Sequence, residues 1–111
     1  MKPIPRRLLI HSVVWASNPQ GDGWGGQTGT PVNVEHVRVE PSSKLVQTPE
    51  NEKVTLSAVL IYDGTNSTPK GLDWTTALRT EVTFNGRKYT VVEATPFYDA
   101  RRLHHWEMGL L

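Results

Sequence analysis

The sequence has no cysteine among its 111 residues. That removes disulfides, thiol nucleophiles and thiolate metal sites together, and it suits a reducing compartment. No apolar run approaches the roughly 18–20 residues that cross a bilayer, so a soluble protein without a membrane span is expected. Lys2, Arg6 and Arg7 ahead of the apolar stretch Leu8 to Trp15 begin like a secretory signal, but His11 and Ser12 interrupt the stretch and no small-residue cleavage site follows. The stretch reads as a strand. An excess of charge of one sign is also missing, because a formal net charge of +1 is too weak to draw in nucleic acid or an anionic surface without local clustering. Apolar residues are scarce too: at 37% they allow a core, but a thin one, so stability is expected to draw partly on partners.

What is present is a succession of short apolar runs with period two, separated by turn formers. Leu8 to Ala16 ends in Ser17-Asn18-Pro19-Gln20-Gly21. Val32 to Glu40 alternates with one slip at Glu35-His36, which suits a β-bulge. Pro41-Ser42-Ser43 and Thr48-Pro49-Glu50-Asn51 bracket a loop or hairpin. Lys53 to Asp63 reads as the strongest strand, with Val54, Leu56, Ala58, Leu60 and Tyr62 on one face and Val59 and Ile61 on the other. Arg79 to Phe84 and Lys88 to Val92 flank Asn85-Gly86, the best short-range signal for a tight hairpin. Beyond Pro96, residues Phe97 to Arg102 read as a turn or a single helical turn, and Leu103 to Leu110 as the last strand. The expectation is one all-β domain over 1–111, a small antiparallel β-barrel of about six strands with long loops.

Candidate chemistry is sparse. Gly21, Gly23 and Gly26 spell G-x-G-x-x-G, but Gln27-Thr28-Gly29-Thr30-Pro31 cannot open the helix that a pyrophosphate cradle needs. The Gly21 to Gly29 stretch reads instead as a mobile loop, with Trp24 tucked against its own domain or a neighbour. His104 and His105 are adjacent, and on a strand adjacent side chains point to opposite faces, so they read as strand residues and not as shared metal ligands. His11 and His36 read as half-buried strand residues and not as catalytic bases. Neither a nucleophile beside a base nor a pair of carboxylates across a cleft can be assembled, so no enzyme, cofactor or metal is expected. Asn66-Ser67-Thr68 matches a glycosylation sequon, taken as a chance match. Arg6, Arg7, Arg101 and Arg102 form basic pairs that suit solvent or an acidic partner surface.

Several tracts carry a family likeness: Lys2-Pro3-Ile4-Pro5-Arg6-Arg7-Leu8-Leu9 with His11, Val37-Arg38-Val39-Glu40-Pro41-Ser42-Ser43, and Leu60-Ile61-Tyr62-Asp63 followed by Asn66-Ser67. Phe84-Asn85-Gly86-Arg87-Lys88-Tyr89-Thr90-Val91, Tyr98-Asp99 and Leu103-His104-His105-Trp106-Glu107 complete it. The sequence resembles the minor capsid proteins of tailed bacteriophages. The resemblance implies a head-completion or stopper protein of the virion, made in the host bacterial cytoplasm. In such a protein a homo-oligomeric ring of roughly six or twelve copies would extend the portal channel, retain packaged DNA and dock the tail. Its partners would be portal or adaptor ring proteins and a tail-terminator or tail protein, with DNA close by in the channel.

On that reading the barrel is the rigid body, and Gly21 to Thr30 and Gly64 to Asp73 are the moving parts. The candidate contact residues are Gly21, Asp22, Gly23, Trp24, Gly25, Gly26, Asn66, Lys70, Asp73 and Trp74, with Arg6, Arg7, Arg101 and Arg102 as docking charges. Trp24 and Trp74 are the expected anchors, since a buried interface aromatic is worth roughly 2 kcal/mol or more. The rival reading is a small-barrel binding module for an oligonucleotide or a glycan, carried by Tyr62, Tyr89 and the four Trp.

Overall fold

The computed structural model describes residues 3–16, 31–48 and 50–111. A short 3-10 turn, Arg6–Leu8, leads into eight strands: β1 (His11–Ala16), β2 (Pro31–Pro41), β3 (Leu45–Gln47), β4 (Lys53–Thr55), β5 (Ala58–Asp63), β6 (Glu81–Phe84), β7 (Arg87–Asp99) and β8 (Arg102–Leu110). Six of them close into an antiparallel barrel in the order β1-β2-β5-β8-β7-β6, with β6 pairing back onto β1. Closure leaves no continuous free edge, which is how a small sheet avoids edge-to-edge association. β3 and β4 pair only with each other. Among the described residues no helix is long and apolar enough to cross a membrane.

Alternation builds the core. Val13 and Trp15 on β1, Val34, Val37 and Val39 on β2, and Ala58, Leu60 and Tyr62 on β5 point inward and are buried. Val82, Val91, Trp106, Met108 and Leu110 join them from the other three strands. Within that core Trp15 stacks on Trp74 with ring centroids 4.2 Å apart, and Tyr62 meets Trp74 edge-on at 5.7 Å. Such aromatic pairs add about 0.5–1.5 kcal/mol beyond their buried area.

The slip at Glu35-His36 is a bulge. His11 pairs with Val37 and Ser12 with Glu35, leaving His36 unopposed at φ 57°. The Asn85-Gly86 hairpin forms as expected, with φ values of 51° and 78°, both in the left-handed region a type I′ turn requires.

Four expectations need correction. The first strand begins at His11, because residues 6–8 close a 3-10 turn in which Leu8 N–H donates to Pro5 O and Leu9 N–H to Arg6 O. The Lys53 to Asp63 run is two strands: Leu56 N–H donates to Lys44 O and Ser57 N–H to Leu110 O, so the chain leaves the β3–β4 hairpin and enters the barrel there. Residues 97–99 are strand, because β7 runs straight through Pro96 and the turn falls at Ala100-Arg101. Beyond Val91, β7 has β8 on one side only, and proline's missing N–H is tolerated at such an edge. Finally, residues 64–73 are tied to the barrel and are not a separate moving part, as detailed below.

Candidate functional site

Antiparallel order sends the two ends of the barrel to different connections. At one end lie the Asn85-Gly86 hairpin, the β2–β3 connection and the C-terminus. At the other end lie Ala16 and Pro31, which pair with each other and bound residues 17–30, together with the β5–β6 connection, residues 64–80, and the β7–β8 tip. Every loop selected from the sequence as a contact segment thus leaves the barrel at one end. Gly21, Asp22, Gly23, Trp24, Gly25 and Gly26 themselves lie outside the described residues.

The 64–80 connection is built around two side chains at the end of β5. Asp63 is fully buried, and its carboxylate accepts hydrogen bonds from the N–H groups of Ile4 (3.1 Å), Thr65 (3.1 Å) and Asn66 (2.8 Å). Buried charge is tolerated when donors surround it in this way. Its backbone N–H donates to Ser67 Oγ at 2.8 Å, and Ser67 Oγ–H in turn donates to His36 O at 2.5 Å. Tyr62 supplies the second clasp, its hydroxyl donating to Pro69 O at 2.5 Å and accepting from Leu72 N–H at 3.1 Å. Burial pushes the Tyr62 phenol pKa up, with the Leu72 N–H opposing that shift. Glu35 and Thr68 exchange backbone hydrogen bonds of 2.8 and 3.0 Å, which fastens the loop to β2 as well.

The candidate residues of this loop divide accordingly. Asn66 is half-buried and donates from Nδ2 to Ile4 O at 2.9 Å, so its side chain serves the fold. Lys70 and Asp73 are exposed. The Thr75 N–H, 2.9 Å from Asp73 Oδ1, is the leading cause that holds the Asp73 carboxyl below its ordinary range. Trp74 is corrected from an outward anchor to a core residue: it is 0% exposed and packs between Trp15 and Tyr62, and with Ala77 it fills this end of the barrel. Its Nε1–H is the one buried side-chain polar atom without a partner among the described residues. Trp15 Nε1–H, by contrast, donates to Thr80 Oγ1 at 2.8 Å.

Arg101 and Arg102 are exposed at the β7–β8 tip, beside Tyr98, which is 61% exposed. Below the tip, β8 carries a bulge: Phe97 pairs with His105 and Tyr98 with Leu103, so His104 has no opposite residue. The bulge overturns the expectation that His104 and His105 point to opposite faces. Their Nδ1 atoms lie 2.8 Å apart, and His105 Nε2 lies 2.9 Å from Glu107 Oε2. Which ring donates in this contact depends on the tautomers of the two imidazoles. Among the described residues no group of three or more His, Cys, Asp or Glu is placed to hold a metal ion.

Arg6 and Arg7 sit on the exposed 3-10 turn over β2, next to the segment that Asp63 and Asn66 tie down through Ile4, and Arg6 Nη2 lies 2.9 Å from His36 Nε2. Among the described residues the aromatics expected to form the stacking platform of a nucleic-acid or glycan module do not form one; Trp24 lies outside them. Trp15, Tyr62, Trp74 and Trp106 are all core, and Tyr89 is half-buried with the Arg87 guanidinium 5.0 Å over its ring. Asp63 and Tyr98 belong to the tracts that carry the family likeness, yet neither stands out in the sequence as an anchor or a contact residue. The Asp63-Gly64 junction before Asn66-Ser67 was the available signal for the first.

The candidate site is therefore a loop-bearing barrel end with exposed Lys70, Asp73, Tyr98, Arg101 and Arg102. No curated protein matches the chain. The family model described as Minor capsid protein matches residues 5–110, nearly the whole sequence, so the chain belongs to the minor capsid protein family of bacteriophages, whose members are structural proteins of the phage.

Proposed function

We propose that this minor capsid protein is a head-completion protein at the head–tail interface of the virion. A ring of copies lies below the portal or adaptor, closes the DNA channel and docks the tail. The observation that carries the reading is the gathering of contact segments: the strand ends bounding 17–30, the 64–80 connection and the Arg101-Arg102 tip share one end of a closed barrel. A ring protein of this kind needs a stiff body with loops gathered where it meets a neighbouring component. Asp63 and Tyr62 fix the connection to the barrel, so the end presents a preformed surface, which lowers the ordering cost of docking.

Of the candidate residues, Lys70, Asp73, Arg101 and Arg102 are the ones proposed for contact, because they are exposed and lie on or beside the loop end. Arg6 and Arg7 take a different place, on the flank. Any contact with DNA would run through phosphates from Arg101, Arg102 and Lys70, and would weaken steeply with salt.

Phage assembled with Arg101→Glu and Arg102→Glu provides the test. Filled heads that no longer join tails, or that lose DNA, are the expected result, with the purified variant as stable as the parent because both positions are solvated. Normal titre and normal tail attachment would count against the proposal.

A further inference from the structure

Two surface features lie on opposite flanks of the barrel. The first is on the β1–β2 flank. Ile10, Ser12 and Val14 alternate outward while Val13 and Trp15 point in, and Leu8 precedes them in the 3-10 turn. Leu8, Ile10 and Val14 are 41, 65 and 36% exposed, an apolar row that folding leaves in water. Arg6 and Arg7 adjoin it. The row is held in place, since Arg38 Nη1 donates to Leu8 O at 3.1 Å and Arg6 meets His36.

The second feature is on the β7–β8 flank. A groove of 190 Å³ is lined by Leu56, Val59 and Phe97 together with Thr95 and Lys44, and edged by the carboxylates of Glu93 and Glu107, the latter 2.9 Å from His105 Nε2. Phe97, 40% exposed, is stacked on the His105 ring with centroids 4.7 Å apart, which fixes the groove's rim. Gly109 keeps the floor low: a Cβ there would lie 2.9 Å from the Leu56 side chain and 3.3 Å from Glu93 Cβ.

In the barrel order, β1 and β8 stand three strands apart in either direction, and so do β2 and β7. The row and the groove therefore face opposite ways. An apolar row beside two cations on one side, and a mixed groove whose two carboxylates outnumber its one cation, Lys44, on the other, complement each other between copies and cannot meet within one. Different patches on opposite flanks make a head-to-tail contact, which closes into a ring when the rotation per copy allows. We propose that Leu8 and Ile10 of one copy seat in the Leu56, Val59 and Phe97 groove of the next, with Arg6 and Arg7 against Glu93 and Glu107. The contact is the lateral interface of the ring, and so rests on the ring reading above; its occupant is a second copy of this chain.

The absence of native cysteine makes the test direct. Phage particles carrying Ile10→Cys together with Thr95→Cys, both at exposed positions, are treated with a short bis-maleimide. A covalent ladder of this chain from the double variant, with each single variant remaining monomeric, is the expected result. Reversing Arg6 and Arg7 to Glu in the double variant should cut the ladder on the order of tenfold, and adding Glu93→Arg with Glu107→Arg should restore it. Dimers from Ile10→Cys alone, no ladder from particles in which a ring is imaged, or a ladder indifferent to charge reversal would each overturn the lateral contact while leaving the ring intact. Particles without any ring would overturn the ring reading and this contact with it.

Discussion

The Asp63 carboxylate takes N–H donors from Ile4, which is 59 residues away, and from Thr65 and Asn66 in its own loop, so one buried group joins the N-terminal segment to the loop end. Asp63→Ala leaves three donors without their partner, and a loss of about 3 kcal/mol is expected in chemical denaturation. Tyr62 gives a pH signature. Its folded pKa is raised by burial, so the stabilisation it contributes is complete below the unfolded tyrosine value, about 10, and is lost as pH rises through the folded value. In an ultraviolet absorbance titration Tyr62 is therefore expected to ionise above that ordinary value, and its late ionisation to vanish in Tyr62→Phe. That variant should also lose about 1 kcal/mol, since Leu72 N–H and Pro69 C=O then lack their side-chain partner. Neither role could be read from composition or spacing. Asp63 looks like any aspartate at a strand end, and only the closed barrel brings Ile4 to it.

At the scale of the element, local chemistry was legible where a backbone conformation has few residue solutions. Asn85-Gly86 is the clearest case, because positive φ at two successive positions selects that dipeptide. Gly86→Val should cost about 1–3 kcal/mol in urea denaturation. The strain lies in the backbone at φ 78°, since nothing stands within 4 Å of the Cβ position. The slip in the Val32 to Glu40 pattern likewise marked the His36 bulge. The misreadings share one cause, that neighbours decide. Pro96 signals a break in isolation, yet β7 accommodates it because β6 has already ended. The Lys53 to Asp63 alternation runs unbroken, yet Leu56 and Ser57 bond elsewhere and split it. The bulge at His104 breaks the alternation on which the two-histidine reading depended.

For the whole molecule, the barrel class was legible from six or so short alternating runs, and closure follows from β6 pairing with β1 across residues far apart in sequence. The candidate loops were legible as loops from glycine, proline and polar content, but their common end is a property of strand order alone. So is the opposition of the Ile10 row to the Glu93 and Glu107 groove. A closed barrel with its candidate contact loops at one end and two unlike flanks suits the ring proposed above, and the family membership over residues 5–110 places the chain among phage structural proteins. The most direct measurement is electron cryo-microscopy of intact particles at the head–tail junction. The account predicts a ring of six-stranded barrels below the portal, with the Arg101-Arg102 end turned to a neighbouring component and adjacent copies meeting flank to flank. Density showing no such barrel at the junction, in particles that contain the protein, would contradict it.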